Sequence, residues 1–213
     1  RIYEFCTVQA SSVYLSAVKD RLYCEAPDSP RRRATQTVVH ELLTALVKLL
    51  APILPHTTEE AWRHVPARPD HEPDDGTFTA DELRAGPAWL WEWLMELRDQ
   101  GLAKLETLRN AGVKNPLDAE AVFAVAADRD DAARALEMYL PEMEDLLGVG
   151  HAVMKRSDTP PDGSPVTVEV RDTRDEYPRC ARSWKRRPDV GSDGDYPDVS
   201  ARDAAVLRQL QSQ

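Results

Sequence analysis

Residues 38–52 read VVHELLTALVKLLAP, and this stretch sets the architecture of the chain. Its apolar side chains recur every three or four residues, as on one face of an α-helix, and Pro52 ends the run. The apolar face comprises Val38, Val39, Leu42, Ala45, Leu46, Leu49 and Leu50. Because so wide a stripe has to be covered by other elements, the stretch predicts a helix that packs within a larger helical core.

Further helical patterns lie on both sides of this stretch. Residues 1–24 space their apolar side chains by three, four and seven, a helix restarts at Pro55, and a long helix is predicted from about Ala88 to Asn110. Residues 65–82 are rich in Pro, Asp and Glu and predict an exposed loop. The fold class is therefore mainly α, with an antiparallel helical bundle over residues 1–115.

The pattern changes after residue 115. LDAEAVFAVAA at 117–127 predicts a strand, and residues 131–149 predict a helix that is interrupted or restarts at Pro141. The segments HAVMK and VTVEV predict two short strands. Strand, helix, strand and strand within so short a span predict a small α/β unit over residues 116–172.

Residues 173–213 form a third segment, the tail. Residues 172–198 are rich in Pro, Gly, Asp and Arg, and they have too few aliphatic side chains to be expected to build a hydrophobic core of their own. The sequence SARDAAVLRQLQ then predicts a short terminal helix that is capped by Ser200.

Composition limits the classes of function. The 213 residues carry a formal net charge of −10, which disfavours a general nucleic-acid binder, yet arginines concentrate at 31–33 and basic residues at 179–187. No apolar run is long enough to cross a membrane. Three widely spaced cysteines and no signal peptide predict a cytoplasmic protein, and a start without Met predicts a fragment of a longer one. We also expect a monomer.

No catalytic motif is present in the sequence. It has no phosphate-binding glycine loop, no HExxH pair and no nucleophile elbow, and its five histidines are not paired at metal-ligand spacing. We therefore predict no catalytic residue in these 213 residues.

Two groups of residues have the composition of an RNA contact. One group lies in the helical part and the other in the tail. They are Lys19, Arg21, Arg31, Arg32 and Arg33, followed by Arg179, Trp184, Lys185 and Arg186. Cations around an exposed aromatic ring can neutralise phosphates and stack unpaired bases. The alternative interpretation, a solvated helix end and a solvated arginine run, stays open for Lys19, Arg21 and residues 31–33.

The strings YEFCTVQASSVYLSAVKDRLY at 3–23 and DSPRRRATQTVVHELLTALVKLLAPILPHTTEEAW at 28–62 resemble a known family, as do residues 97–123 and the string YPRCARSWKRRPDVGSDGDYPD at 177–198. The family is the C-terminal anticodon-binding region of bacterial isoleucyl-tRNA synthetase, a class I enzyme of the Ile, Val, Leu and Met subgroup. The resemblance implies that the chain reads the tRNA(Ile) anticodon stem-loop and is joined to catalytic and editing domains. Those domains, with their HIGH and KMSKS signatures and the ATP site, are absent from these residues.

The resemblance also implies a zinc ribbon in the tail. The four ligand positions of the family correspond here to Tyr177, Cys180, Ser200 and Asp203. Because structural zinc takes four nitrogen or sulfur donors, this set predicts a degenerate ribbon without metal, held by neighbouring contacts or partly disordered. Arg179 matches a family residue implicated in the anticodon contact, whereas the family tryptophan is replaced by Ala181, so Trp184 could substitute only if the loop path shifts.

Three hypotheses remain after the sequence analysis. The favoured one is an RNA-binding module of a tRNA ligase that attaches isoleucine to tRNA(Ile) with ATP. The second is a helical protein-interaction or structural bundle that does not bind RNA. The third is a zinc module that takes its missing ligands from His151 or from a second copy of the chain.

Overall fold

The structure, a computed structural model, describes residues 1–65, 88–158 and 164–212. The chain divides into two compact units, of which one comprises Arg1–Glu25 with Ala88–Gln213 and the other Ala26–Pro87. Nearly all of the acidic stretch predicted to be a loop lies outside the described residues. No helix among the described residues combines the length and the apolar character that a membrane span requires.

The smaller unit contains α3 (Pro30–Leu50) and α4 (Pro55–Arg63). Ser29 caps α3 by accepting a hydrogen bond from the Arg32 amide, and Pro30 occupies the first turn, where a missing N–H costs nothing. The predicted helix is confirmed, but its predicted core face is wrong. Val38 and Leu49 are exposed, and Val47 is the one aliphatic residue of α3 that is buried. The nine-residue α4 is too short to cover a 21-residue helix.

The larger unit begins with α1 (Ile2–Glu4), a π-helical segment (Phe5–Leu15) and α2 (Lys19–Cys24). It resumes with α5 (Ala88–Asn110) and a short 3-10 turn (Pro116–Asp118). The long helix predicted over 88–110 is therefore confirmed.

A three-stranded sheet forms the centre of the larger unit. Its strands are β1 (Ala119–Ala126), β2 (His151–Ser157) and β3 (Val166–Asp172), in the spatial order β2-β1-β3. β1 runs parallel to β2, to which it is joined through α6 (Asp130–Leu147), and antiparallel to β3. The predicted small α/β unit is confirmed, whereas the division of the chain into three domains at 115 and 172 stays a prediction.

The main core lies between this sheet and the helices α5 and α6. Its most buried large side chains are Phe123 of β1, Leu136 and Met143 of α6, and Leu97 of α5. α6 continues through Pro141 without interruption, so the predicted break is wrong. A proline removes one backbone hydrogen bond, and the residues of α6 buried on both sides of it hold the helix together.

The tail has a small core that the sequence analysis did not expect. Cys180, Val199 and Ala204 are buried together, with the ring of Tyr196 packed against them. The core needs α7 (Ala201–Gln211), whose first turn Ser200 caps as predicted by accepting a hydrogen bond from the Asp203 amide. Residues 172–198 cannot form this core alone, because Val199, Ala204 and Leu207 supply the remaining side chains.

The tail crosses the start of β2 at Gly150. The Arg186 amide donates to the Leu117 carbonyl at 3.1 Å. A Cβ atom on Gly150 would lie 2.3 Å from that carbonyl oxygen and 2.9 Å from the amide nitrogen and carbonyl oxygen of Arg186. Only a residue without a side chain permits this approach of two backbones.

Buried charges attach the tail to two helices. The Lys185 ammonium group, 4% exposed, lies 2.9 Å from Glu144 Oε1, 3.2 Å from Asp20 Oδ2 and 3.6 Å from Asp145 Oδ1. We call this group, with the flanking Arg21 and Arg187, the ion cluster. Its members are Asp20, Arg21, Glu144, Asp145, Lys185 and Arg187.

Two carboxylates of the ion cluster, those of Asp20 and Glu144, are held in the charged form. Burial tends to raise the pKa of Asp20, but the hydrogen bond from Arg202 and the charge of Lys185 outweigh it and lower the pKa to about 2. Burial likewise opposes the nearby His151 imidazole, whose Nδ1 lies 3.7 Å from Glu144 Oε2, and the charges of Lys185 and Arg187, which together lower the pKa of Glu144 to about 2. The attraction therefore outweighs the cost of desolvation at both positions.

The close backbone approach at Gly150 predicts a sharp steric effect. We expect Gly150→Ala to push the tail from the sheet and to lower the free energy of unfolding by roughly 1–3 kcal/mol or more. Gly194→Ala is the matched control because a Cβ atom there meets nothing within 4 Å. Denaturant unfolding of both variants tests the prediction, and equal stability would contradict it.

Acid should weaken the attachment of the tail. Because Asp20 and Glu144 have lower pKa values folded than unfolded, their stabilisation is complete above about pH 4.5 and is lost as the pH falls towards 2. We expect the free energy of unfolding, measured by denaturant titration at each pH, to fall by a few kcal/mol over this range. Asp20→Asn should be less stable at pH 7 and should lose less on acidification. The same pH slope in both proteins would argue against the assignment.

Candidate nucleic-acid interface

One face of α2 presents a cation and an aromatic ring to solvent. Lys19 is exposed, and Tyr23, four residues later on the same face of the helix, is 77% exposed. Lys19 has no ion-pair partner among the residues that the structure describes. Both side chains line a cavity of about 400 Å³ together with Ser183 and Lys185 of the tail. The tail therefore forms part of the wall of a cavity that begins on α2.

The tail reaches this cavity as a tight turn. The Cys180 amide donates to the Lys185 carbonyl and the Trp184 amide donates to the Cys180 carbonyl, both at 2.9 Å. Arg182 extends from the turn to the carbonyl oxygen of Cys24, at 3.3 Å, at the end of α2. The turn is thus closed by its own backbone and is held against α2.

Trp184 has an unusual backbone conformation for so large a residue. Its φ angle is 63°, in the left-handed region, and it is the one residue other than glycine with positive φ among the described residues. This conformation costs about 1–2 kcal/mol for a residue with a Cβ atom. The side chain is 62% exposed, so the cost is not offset by burial of the ring. Strain of this kind often accumulates where a side chain has a function.

Two of the residues predicted to contact RNA form ion pairs within the protein. Arg21 Nε donates to Asp145 Oδ2 at 2.7 Å, and Lys185 lies in the ion cluster. The pKa of Lys185 stays above its usual value because the neighbouring carboxylates outweigh its burial. In this arrangement both cations are neutralised by the protein itself. RNA contact by either residue stays a prediction.

Arg179 and Arg186 share one carboxylate. Arg179 Nη2 lies 2.5 Å and Arg186 Nε 2.7 Å from Asp118 Oδ1. Burial would raise the pKa of Asp118, and the hydrogen bonds from the two guanidinium groups hold it below its usual value. Arg186 also donates to the carbonyls of Arg174 and Tyr177, whereas the Arg179 side chain is 41% exposed. Of the pair, Arg179 has the more accessible guanidinium group.

The three predicted arginines of the smaller unit lie in the first turn of α3. Arg31 and Arg32 are partly exposed, and Arg33 is exposed with no ion-pair partner among the described residues. No acidic side chain lies in this first turn, although the positive end of a helix favours one. The turn therefore presents cationic side chains at the positive end of the helix.

Sequence reasoning missed two residues of the larger unit. Tyr23 and Ser183 line the cavity, and the Ser183 hydroxyl is buried without a hydrogen-bond partner among the described residues. The spacing of Tyr23 from Lys19 in KDRLY could have indicated Tyr23. Nothing in the sequence indicates Ser183, because its place depends on the tail folding against α2.

The exposed groups on α2 and on the tail turn suit unpaired nucleotides. The indole of Trp184 and the phenol of Tyr23 can stack on bases, and Lys19 can neutralise a phosphate. No group of three or more His, Cys, Asp or Glu side chains in the described ranges is arranged to hold a metal ion.

Comparison with known proteins agrees with an interaction with RNA. The family model described as the anticodon-binding domain of tRNA ligase matches residues 1–122. The chain is similar to the isoleucine–tRNA ligase of Carboxydothermus hydrogenoformans, with 32% identity over 99% of this chain and 23% of the relative. It is also similar to that of Limosilactobacillus reuteri, with 36% identity over 96% of this chain and 22% of the relative.

A third relative, the isoleucine–tRNA ligase of Thermotoga petrophila, is 35% identical over 97% of this chain and 23% of its own length. The chain thus spans less than a quarter of the length of these curated relatives. The family model covers more than half of the 213 residues. On this evidence, the chain belongs to the family of anticodon-binding domains of tRNA ligases.

Proposed function

We propose that this chain is the part of an isoleucine–tRNA ligase that binds the anticodon stem-loop of tRNA(Ile). The observation that carries the proposal is Trp184, a strained and exposed residue whose neighbours in sequence, Ser183 and Lys185, line the same cavity as Lys19 and Tyr23. Family membership and the names of the relatives support the choice of RNA. In this proposal an unpaired base of the loop stacks on Trp184.

In this proposal the catalytic step of the full enzyme takes place in another domain. Attachment of isoleucine to tRNA(Ile) with ATP takes place in a catalytic domain outside these 213 residues, with an editing domain in the same cytoplasmic, monomeric protein. This chain holds the distal end of the tRNA. The predicted helical bundle and the ribbon-like tail are the two parts that contribute contacts.

The charge pattern supports selective rather than general RNA binding. Four of the predicted cations, Arg21, Arg179, Lys185 and Arg186, are paired with carboxylates, and the net charge is −10. Electrostatic attraction to an arbitrary RNA is therefore weak, and the acidic surface repels wrong partners. Binding then depends on stacking and on base-edge contacts, which favour single-stranded loops. The exposed cations Lys19, Arg33 and Arg179 set the register on phosphates.

Binding of tRNA tests the proposal against the alternative of a structural helical bundle. We expect the full-length enzyme to bind tRNA(Ile) more tightly than a non-cognate tRNA, with an affinity that falls as salt rises. Equal affinity for both tRNAs would favour the structural bundle.

Reversing the charge of Lys19 tests whether this residue contacts a phosphate of the RNA. Lys19→Glu should weaken binding and reduce the salt slope by about 1, the value for loss of one phosphate contact. Lys104→Glu, an exposed lysine of α5, makes the same change of charge away from the cavity and should leave the slope unchanged. If both variants lower the slope equally, Lys19 has no special place on the RNA. ATP–isoleucine exchange should be normal in both variants because activation occurs on another domain.

Removal of the strained indole should change stability and binding in opposite directions. Trp184→Gly relieves the left-handed strain, so we expect the free energy of unfolding to stay equal or to rise by up to about 1 kcal/mol. The same change should weaken tRNA(Ile) binding by roughly 5- to 100-fold, the value of one lost stacking contact. Trp184→Phe keeps an aromatic face and should retain most of the affinity. Unchanged affinity in Trp184→Gly would show that the ring does not contact RNA.

A further inference from the structure

The four positions that correspond to zinc ligands in the family have other partners in this chain. Cys180, Ser200 and Asp203 are completely buried. Tyr177 donates its hydroxyl to Glu120 Oε1 at 3.2 Å and accepts from Arg171 Nη2 at 2.9 Å, so it is tied to the sheet. Each of the four side chains is thus used in a contact within the protein.

The donor set does not fit a zinc ion. Cys180 Sγ donates to Asp203 Oδ2 at 2.9 Å, a bond that requires the protonated thiol, whereas zinc takes the thiolate. Ser200 Oγ accepts from the Asp203 amide at 3.3 Å and serves as the cap of α7. One thiol and one carboxylate are too few for a tetrahedral site, and a hydroxyl and a phenol do not replace the missing thiolates.

A guanidinium group supplies positive charge next to this site. Asp203 Oδ1 accepts from Arg202 Nε at 3.2 Å and from Arg202 Nη2 at 3.0 Å. Arg202 also forms a two-point contact with the carboxylate of Asp20 on α2, in which its Nη2 lies 3.3 Å from Oδ1. A continuous set of hydrogen bonds therefore connects the thiol of Cys180 to α2, through Asp203 and Arg202.

We infer that Cys180, Asp203, Arg202 and Asp20 form a metal-free polar lock that closes the tail and fastens it to α2 in place of zinc. Each buried charge in the polar lock has a partner of opposite sign, which is the condition for burying charges without a large desolvation cost. Asp20 belongs both to the polar lock and to the ion cluster, so the two groups hold the tail at neighbouring points.

The polar lock gives Asp20 and Arg202 a positioning role. Arg202 fastens the helix that follows the tail turn, and Asp20 lies beside Lys19 on α2. The lock therefore sets the distance between the turn carrying Trp184 and the exposed face of α2. The consequence for RNA binding rests on the proposed function, whereas the lock itself does not.

Zinc content provides the first test. Cys180→Ala removes the one thiol of the site, and we expect the full-length enzyme and this variant to contain the same number of zinc ions per chain by elemental analysis. Any zinc held in other domains cancels in this comparison. A loss of one equivalent in Cys180→Ala would overturn the inference.

Coupling between Asp20 and Arg202 provides the second test. We measure exchange of the backbone amides of Cys180 and Trp184, which are bonded within the turn, in Asp20→Asn, Arg202→Gln and the double variant of the full-length enzyme. We expect each single change to speed exchange at least tenfold and the double change to add little. Arg208→Gln is the matched control because Arg208 is on the same helix and its contacts with Asp193 and Asp195 of the preceding loop are exposed. Additive effects, or exchange as slow as in the control, would overturn the lock.

A third measurement separates the lock from the proposed function. The single variants keep Lys19, Tyr23 and Trp184. Because Asp20→Asn removes a negative charge and cannot weaken attraction to phosphate, a loss of tRNA(Ile) affinity in that variant points to the relative positions of these side chains. Faster amide exchange with weaker binding supports both proposals. Faster exchange with unchanged binding upholds the lock and counts against the proposed RNA contact. Where a glutamine variant fails to fold, Arg202→Lys keeps the charge without the two-point contact and should show a smaller change in the same direction.

Discussion

The burial of Lys185 is the constraint on which the larger unit depends. A charged ammonium group that is 4% exposed must have anionic partners, because an isolated charge in the interior carries a large desolvation cost. Its three partners come from α2 and from the C-terminal turns of α6, while Lys185 itself comes from the tail. One cation thereby joins three segments distant in sequence. The left-handed Gly148, which ends α6 three residues after Asp145, turns the chain towards β2.

The need to pair buried cations changes how the basic run in the tail is interpreted. The run from Arg179 to Arg187 suggests a surface that attracts phosphate, yet Lys185 and Arg187 face Glu144, and Arg179 and Arg186 face Asp118. The cations that look like RNA ligands hold the tail in place. What the tail offers to solvent is chiefly an aromatic ring, Trp184, whose backbone strain the surrounding hydrogen bonds maintain. In the proposed function, stacking contributes more to recognition than net charge does.

In the proposed polar lock, hydrogen bonds take the place of a metal. Zinc fixes four donors by strong bonds to one centre, whereas here the contacts are spread over a thiol, a helix cap, two carboxylates and a guanidinium group. Contacts that are spread over several groups depend on the protonation state of the carboxylates and on the exclusion of water. They also depend on neighbouring elements of the fold. Tyr177 contacts the sheet and Asp20 belongs to α2, so the tail is stable as part of the larger unit.

The sequence by itself determined the elements with a strong local pattern: α3 from its apolar period, α5, the three strands, and the cap at Ser200. Their spacing depends on neighbours along the chain, which a sequence displays directly. It misjudged the buried face of α3, the continuity of α6 at Pro141 and the core of the tail, because burial depends on what packs against an element. Only the tertiary structure decided that Lys185 is internal, that Tyr23 and Ser183 share a cavity, and that Cys180 lies against Asp203. These outcomes follow from charges and donors brought together across 23 to 165 residues of chain, and no local pattern encodes such pairings.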